Sequence, residues 1–189
     1  MQFVIITGLS GSGKSSAVNI LEDIGYYCID NMPPELIADI CSQSDGKIEK
    51  VAFVVDIRGG DLFLKLSDTI TQLKAAHVNL KILFLDSADD VIVRRYKETR
   101  RKHPLDEVSY GNIRKAIETE REILVPVKAK ADYYIDTSST SLAEFKERMY
   151  SMFLESGQDY MRIDVRSFGF KFGAFSEGDL IFDVRCLPN

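Results

Sequence analysis

The chain has 189 residues, of which 45% are hydrophobic and 28% are charged, as in an ordinary globular protein. This length suits one domain with a small appendage. The formal net charge of −5 argues against a surface that binds polyanions everywhere, so any contact with nucleic acid needs a local basic patch. Because no apolar run reaches the ~20 residues of a membrane-spanning helix, we expect no membrane partner.

Cys28, Cys41 and Cys186 form no CxxC pair. An odd cysteine count without metal-ligand spacing is typical of reduced thiols rather than of disulfides or a structural zinc site. The N-terminus also lacks the basic region and the cleavage site of a secretory signal. These features predict a cytoplasmic protein.

Short apolar runs alternate with longer amphipathic stretches along most of the chain. Uninterrupted apolar runs are typical of parallel strands covered on both faces, and they occur at residues 3–7, 26–29, 51–55, 82–85 and 133–135. Helical spacing of apolar residues predicts helices from about residue 14 to Gly25, and over 34–40, 61–77, 88–101, 113–128 and 142–153. Ser141 and Glu144 predict a capping box for the last helix, and Pro126 is expected to bend or end the helix before it.

This alternation predicts a doubly wound α/β domain with a mainly parallel five-stranded sheet, of the type found in P-loop NTPases and small kinases. The pattern stops near Glu155, so we expect the nucleotide-binding domain to span residues 1–155. Residues 161–172 and 180–184 then predict two strands joined by a glycine-containing turn. We interpret this C-terminal β-hairpin as the start of a second, truncated domain over residues 156–189.

The most specific motif matches GxxxxGK[ST] in full, between a predicted strand and a predicted helix. In such a loop, glycines allow backbone N–H groups to surround a phosphate, and the helix dipole adds positive potential. Lys14 is expected to act in catalysis by neutralising the β- and γ-phosphates, and Ser15 to ligate Mg²⁺. The predicted ATP-binding residues are Gly8, Leu9, Ser10, Gly11, Ser12, Gly13, Lys14 and Ser15.

A P-loop also needs an acidic residue at the end of an apolar strand to hold the water shell of Mg²⁺. Asp30, Asp56 and Asp86 all have such positions. In the common strand order of P-loop proteins the third strand lies beside the first, which favours Asp56 as the metal ligand. For each aspartate the alternative is a plain turn residue at the end of a strand.

Two further segments follow predicted strands. Arg58, with Gly59 and Gly60 after it, is expected to reach a phosphate, the alternative being a solvated side chain in a loop. Asp30 and Asn31 lie where open sheets bind ligands, so they are candidates for holding an acceptor or a water molecule. Asn31 has the alternative of capping the next helix.

Residues 94–104 form the densest basic run of the chain. The run follows the fourth predicted strand, where small P-loop kinases carry a mobile lid whose arginines stabilise the transferred phosphate. Arg94 and Arg101 are therefore candidate catalytic residues. A solvated helix face and an RNA-phosphate patch are the alternatives.

Together these residues resemble the RapZ/YvcJ-type nucleotide-binding proteins, a P-loop family that includes an RNase adapter. The resemblance rests on the P-loop and on blocks at residues 21–33, 56–58, 83–86, 94–105, 135–137, 167–171 and 182–189. It implies binding and slow hydrolysis of ATP and GTP, with the GTP contact at Asp56, Ile57, Arg58 and Gly59. Some members bind small regulatory RNA and deliver it to a ribonuclease, mainly through a C-terminal domain that this sequence only begins.

Three functions remain open at this point. The leading hypothesis is a regulatory protein with weak ATPase and GTPase activity and bound Mg²⁺. The second is a small-molecule kinase with Asp30 as acceptor base, and the third is an RNA-binding adapter switched by nucleotide. Met32 and Tyr110 are candidates for a homo-oligomer interface or for local packing.

Overall fold

The computed structural model describes residues 1–43, 48–56, 65–100, 102–154, 168–169 and 180–183. The chain divides into two units, Met1–Glu155 and Ser156–Asn189. In the second unit, residues 168–169 and 180–183 have no regular secondary structure. The predicted hairpin is therefore not confirmed by these residues, and the rest of its two strands lies outside the described residues.

Strands and helices alternate through the first unit, as predicted. The strands are β1 (Gln2–Gly8), β2 (Tyr27–Ile29), β3 (Lys50–Val54), β4 (Leu80–Asp86) and β5 (Tyr133–Asp136). The helices are α1 (Lys14–Asp23), α2 (Pro34–Gln43), α3 (Leu66–Ala75), α4 (Asp89–Thr99), α5 (Ile113–Lys128) and α6 (Leu142–Phe153). None of the helices in the described ranges has the length and apolarity that a bilayer crossing requires.

The strands form one parallel sheet in the order β2-β3-β1-β4-β5. β1 is central, since it pairs with β3 from Gln2↔Lys50 and with β4 from Phe3↔Leu80. The predicted adjacency of the first and third strands is thus confirmed. Because the carboxyl ends of parallel strands meet at one edge, the residues after β3 lie beside the loop that follows β1.

Helices cover both faces of the sheet, which confirms the doubly wound arrangement. Successive residues of a strand point to opposite faces. Phe3 and Ile5 accordingly pack in a core with residues of α2, α3, α4 and α5, whereas Val4 and Ile6 pack with residues of α1 and α6. Both cores consist of fully buried aliphatic and aromatic side chains, so they fix the sheet edge that carries the site.

The capping box predicted for the last helix is confirmed, and the first helix ends in a glycine motif. The capping box of α6 is complete, since Ser141 Oγ accepts from the Glu144 N–H at 3.2 Å and Glu144 Oε2 accepts from the Ser141 N–H at 2.8 Å. At the end of α1, Gly25 has a φ of 94°. The Gly25 N–H donates to Glu22 O and the Tyr26 N–H to Leu21 O, both at 2.9 Å, which is the Schellman arrangement.

The bounds predicted for the fifth helix, residues 113–128, are confirmed. α5 passes through Pro126 and ends at Lys128, so the proline does not end the helix. Proline removes one helical hydrogen bond, but Leu124 and Val127 beside it are buried at 2% exposure each. Their burial holds the last turn of the helix in place.

Two other predictions on local structure have different outcomes. The predicted start of the third helix, at residue 61, lies outside the described residues. Met32 is 7% exposed and packs in the core with α2 and α3, which supports local packing rather than an interface. Tyr110, by contrast, is 91% exposed.

Candidate functional site

The predicted phosphate loop runs from the end of β1 to the start of α1. Gly8 has a φ of 130°, and a Cβ at this position would lie 2.0 Å from Leu85 O of β4, so only glycine fits. The Leu9 N–H donates to Leu85 O at 3.1 Å, and the Ser12 N–H donates to Leu9 O at 3.0 Å. These contacts tie the loop to β4 and fold it back on itself.

The N-terminus of α1 is arranged to receive an anion. Its N-cap residue, Gly13, offers no side chain to the first turn, and no side-chain cap hydrogen bond is formed there. The amides of Lys14, Ser15 and Ser16 have no intrahelical acceptor, as in the first turn of any helix. Together with the helix dipole, such amides favour a bound anion, and phosphate binding at this loop stays a prediction.

Lys14 adds a positive charge to the loop. Its Nζ donates to Gly8 O at 2.8 Å and to Leu9 O at 3.2 Å. Asp56 Oδ1 lies 3.9 Å from this Nζ, and the two side chains are only 10% and 17% exposed. The structure therefore brings Lys14 and Asp56 together at the carboxyl edge of the sheet.

The residues predicted to hold Mg²⁺ have suitable chemistry. Ser15 supplies a hydroxyl in the first turn of α1, and Asp56 supplies a carboxylate just beyond β3. Mg²⁺ prefers such hard oxygen donors and keeps several waters or phosphate oxygens besides one or two protein ligands. The donor set fits Mg²⁺, and metal binding by these two residues stays a prediction.

Asp86 belongs instead to a structural ion cluster. Its carboxylate accepts from Arg121 Nη1 and Lys128 Nζ, each at 2.8 Å, and from Tyr134 OH at 3.0 Å. Burial raises the pKa of Asp86, but the hydrogen bonds from Lys128 and Arg121 outweigh it and the pKa is lowered. Asp86 thus joins β4 to α5 and β5. This role is structural, and it is neither that of a metal ligand nor that of a plain turn residue.

Two other predicted site residues that the structure describes, Asp30 and Arg94, are exposed. Asp30 is exposed, and its Oδ1 accepts from the Asn31 N–H at 2.8 Å. Arg94 is exposed on α4. Ile57, Arg58, Gly59 and Arg101 lie outside the described residues.

Arg95, rather than its neighbour Arg94, contacts the loop. Its Nη1 donates to Gly11 O at 2.8 Å and its Nη2 to Thr137 O at 2.9 Å. Burial lowers the pKa of Arg95, and the nearby charge of Arg94 lowers it further. Sequence analysis missed this role, although Arg95 lies three residues after the buried Ile92 and therefore on the core-facing side of α4.

A buried carboxylate beside the loop was also missed. Glu120 of α5 has no exposed surface, and it accepts from the Ser10 N–H at 3.1 Å and from Ser10 Oγ at 2.8 Å. His103 Nε2 lies 3.1 Å from its Oε2. A signal was available, because Glu120 falls on the buried stripe of α5, with Ala116, Ile117, Leu124 and Val127.

A cavity of about 290 Å³ opens beside the loop. Loop residues 11–13 and Arg95 line one part of it, and residues of the β5–α6 connection and of α6 line the rest: Thr137, Thr140, Ser141, Leu142 and Phe145. Ser12 also lines it, and within the described structure its buried hydroxyl has no hydrogen-bond partner. The cavity therefore adjoins the phosphate loop, and the loop contributes to its lining a residue, Ser12, whose hydroxyl is unsatisfied.

Solved structures with a similar fold include small kinases. A shikimate kinase from Acinetobacter baumannii in complex with shikimate aligns with a TM-score of 0.55 and 14% identity, over 82% of this chain and 93% of that one. A gluconokinase from Sinorhizobium meliloti aligns with a TM-score of 0.51 and 22% identity, over 79% of this chain and 90% of that one. At these identities the likeness concerns the fold alone.

Sequence relatives are much closer. Proteins named "nucleotide-binding protein" from Caldicellulosiruptor saccharolyticus and Acetivibrio thermocellus are each 49% identical over 193 aligned residues. Each alignment covers 100% of this chain and 66% of the relative, so the chain spans 66% of the length of these proteins. Residues 1–157 match the family described as the RapZ-like N-terminal domain. The chain therefore belongs to the RapZ-like family of P-loop nucleotide-binding proteins.

Proposed function

We propose that this chain binds ATP and GTP with Mg²⁺ at Gly8–Ser15 and hydrolyses both slowly, in a regulatory role. The observation that carries the proposal is the uncapped N-terminus of α1 beside the Lys14 ammonium. Free first-turn amides and a lysine in one loop complement the charge of a triphosphate. The tether of the loop to Leu85 supports the proposal, since a preformed loop loses less entropy on binding.

The cavity beside the loop supports use of either base. Among the described residues, its lining includes neither a carboxylate nor a side-chain amide, the groups that distinguish the hydrogen-bonding edges of adenine and guanine most strongly. Arg95 offers a flat guanidinium that stacks on any base. Recognition by backbone and by stacking would admit both nucleotides.

The proposed reaction is in-line attack of water on the γ-phosphate. Lys14 would neutralise the phosphates, and Ser15 and Asp56 would hold Mg²⁺, which supplies further charge neutralisation. Arg58, Arg94 and Arg101 stay candidates for contacting the transferred phosphate. Slow turnover is expected because neither nearby carboxylate is placed to act as a general base. The carboxylate of Asp56 is paired with Lys14, and that of Glu120 accepts a hydrogen bond from Ser10.

The test is phosphate release from ATP and GTP with Mg²⁺ by the wild type, Lys14→Ala and the exposed-lysine control Lys115→Ala. We expect slow release by the wild type and the control, and none by Lys14→Ala. Nucleotide affinity should also fall at least about tenfold in Lys14→Ala. Unchanged turnover in that variant would refute the site assignment.

The same assay separates the kinase alternative. Shikimate and gluconate, the substrates suggested by the names of the fold neighbours, serve as acceptor probes. A phosphorylated acceptor without acceptor-independent phosphate release would support a small-molecule kinase with Asp30 near the acceptor. Acceptor-independent release would favour the NTPase.

Other family properties concern the full length of the relatives, of which this chain spans 66%. We propose a cytoplasmic location and self-association for this chain, and binding of regulatory RNA and a ribonuclease for the longer relatives. Gel-shift titration with a structured small RNA, comparing this chain with a longer relative, tests the RNA part. Tighter binding by the longer protein is expected, and equal binding would contradict it.

A further inference from the structure

We propose that Glu120 is a positioning residue of the phosphate loop, and that it links the loop through His103 to residues 102–111, here called the crossing segment. The proposal rests on the proposed nucleotide site, but Glu120 and His103 lie outside the phosphate motif. It explains why an acidic residue stands on the buried stripe of α5. An apolar residue would fill this stripe without the cost of burying a carboxylate.

The hydrogen bonds of Glu120 define its role. Within the described structure its carboxylate is satisfied by Ser10 and His103, and by neither lysine nor arginine. Ser10 Oγ is 2.8 Å from Glu120 but 3.5 Å from Asp56 Oδ1, so its single proton is donated to Glu120. Glu120 thus holds both the backbone and the hydroxyl of one loop residue.

The tautomer of His103 follows from its other contact. The Leu105 N–H donates to His103 Nδ1 at 3.1 Å, which requires Nδ1 to be unprotonated. The ring proton of the neutral imidazole is then on Nε2, and it is donated to Glu120. Each described group that hydrogen-bonds to the carboxylate is therefore a donor, and exchanging one of them for a non-donor leaves Glu120 with one hydrogen bond fewer.

A second contact joins His103 to the loop. The Tyr96 ring lies 5.2 Å from the His103 ring, between centroids. Tyr96 Cε2 would be 3.3 Å from a Cβ at Gly11. His103 is thus connected to Ser10 through Glu120 and to Gly11 through Tyr96, so a shift of either loop residue reaches it.

The crossing segment is internally hydrogen-bonded, so a displacement of His103 would be transmitted along it. Backbone hydrogen bonds close its turns, from Asp106 N–H to His103 O at 2.9 Å and from Gly111 N–H to Asp106 O at 3.0 Å. His103 is 4% exposed at one end, whereas Val108 and Tyr110 are 67% and 91% exposed further along. The segment therefore connects a buried anchor beside the phosphate loop to two exposed side chains, Val108 and Tyr110.

The test combines nucleotide affinity with hydrogen exchange of the whole chain. Affinity for a fluorescent ATP analogue with Mg²⁺ is measured for the wild type, Glu120→Gln, His103→Ala, His103→Gln and the exposed control Glu118→Gln. Glu120→Gln should bind about tenfold more weakly, because one carboxylate oxygen becomes an NH₂ group and the neutral amide offers the Ser10 and His103 donors a single, weaker acceptor. Glu118→Gln should bind like the wild type.

Hydrogen exchange separates linkage from a merely structural role. In the wild type, ATP with Mg²⁺ should slow exchange in the crossing segment at least about fivefold. His103→Ala should still bind nucleotide but lose this protection, and His103→Gln should restore most of it through its side-chain N–H. In a double-mutant cycle, His103→Ala should cost little further affinity in the Glu120→Gln background.

Each outcome supports or overturns the proposal. Wild-type affinity in Glu120→Gln, or equal protection of the crossing segment in His103→Ala, would overturn it while leaving the proposed nucleotide site intact. No binding by the wild type would overturn both. If His103→Ala does not fold, Ser10→Ala provides a milder variant that keeps the amide, with an expected loss of about threefold in affinity.

Discussion

Replacing Gly8 with alanine tests the close approach between β1 and β4 on which the phosphate loop depends. The new Cβ would lie 2.0 Å from Leu85 O and 2.7 Å from Leu85 N, so the backbone of β4 must move. Overpacking of this kind costs about 1–3 kcal/mol. The φ of 130° adds backbone strain of about 1–2 kcal/mol for a residue with a Cβ.

The expected loss of unfolding free energy in Gly8→Ala is therefore about 2–5 kcal/mol, a large share of the ~5–15 kcal/mol that stabilises a typical domain. Gly25→Ala is the matched control. Gly25 also has a positive φ, of 94°, but no atom of the described residues beyond its two chain neighbours lies within 4 Å of the position of its Cβ. The control should lose only about 1–2 kcal/mol.

Urea unfolding followed by circular dichroism measures both losses under the same conditions. Because both variants change glycine to alanine, the effect on the entropy of the unfolded chain is the same and cancels in the comparison. Gly8→Ala should unfold at the lower urea concentration. A loss no larger than that of Gly25→Ala would refute the reasoning from the contact with Leu85.

Three further predictions concern stability and reactivity. The pKa of Asp86 is lower in the folded than in the unfolded state, so its contribution is present above about pH 4 and is lost as the pH falls through the folded pKa. Asp86→Asn should therefore lose less stability than the wild type on acidification, and parallel losses in urea titrations would contradict this. Ser141→Ala should cost about 1 kcal/mol by removing the cap of α6, and an unchanged melting temperature would count against it. Burial raises the pKa of the Cys28 and Cys41 thiols to about 11. Native alkylation near pH 8 should thus be on the order of a hundredfold slower than in the unfolded chain by peptide mapping, and equal rates would disprove it.

The framework could be predicted because its signals are local. Uninterrupted apolar runs mark the strands, and the Ser141–Glu144 pair marks the start of α6 within four consecutive residues. The GxxxxGK[ST] spacing likewise locates the loop between β1 and α1. Pro126 does not end α5, because burial on either side outweighs the hydrogen bond that proline removes.

The part of the site that the sequence did not predict depends on contacts between residues that are distant in the chain. Ser10 and Glu120 are 110 positions apart, and no spacing rule connects them. The choice between Arg94 and Arg95 depends on the direction in which each side chain leaves α4, which the charge run does not show. In both cases the usable signal was a charged residue on a helix face that is otherwise buried.

The central place of β1 has a consequence for the order in which the protein is made. β1 leaves the ribosome before its partners β3 and β4, which begin only at Lys50 and Leu80. These non-local pairs must overcome loop-closure entropy before their hydrogen bonds form. Since the loop is held by Leu85 O, we expect a nascent chain to gain affinity for triphosphate only after β4 has emerged. Nucleotide binding during translation would then report that the middle of the sheet has assembled.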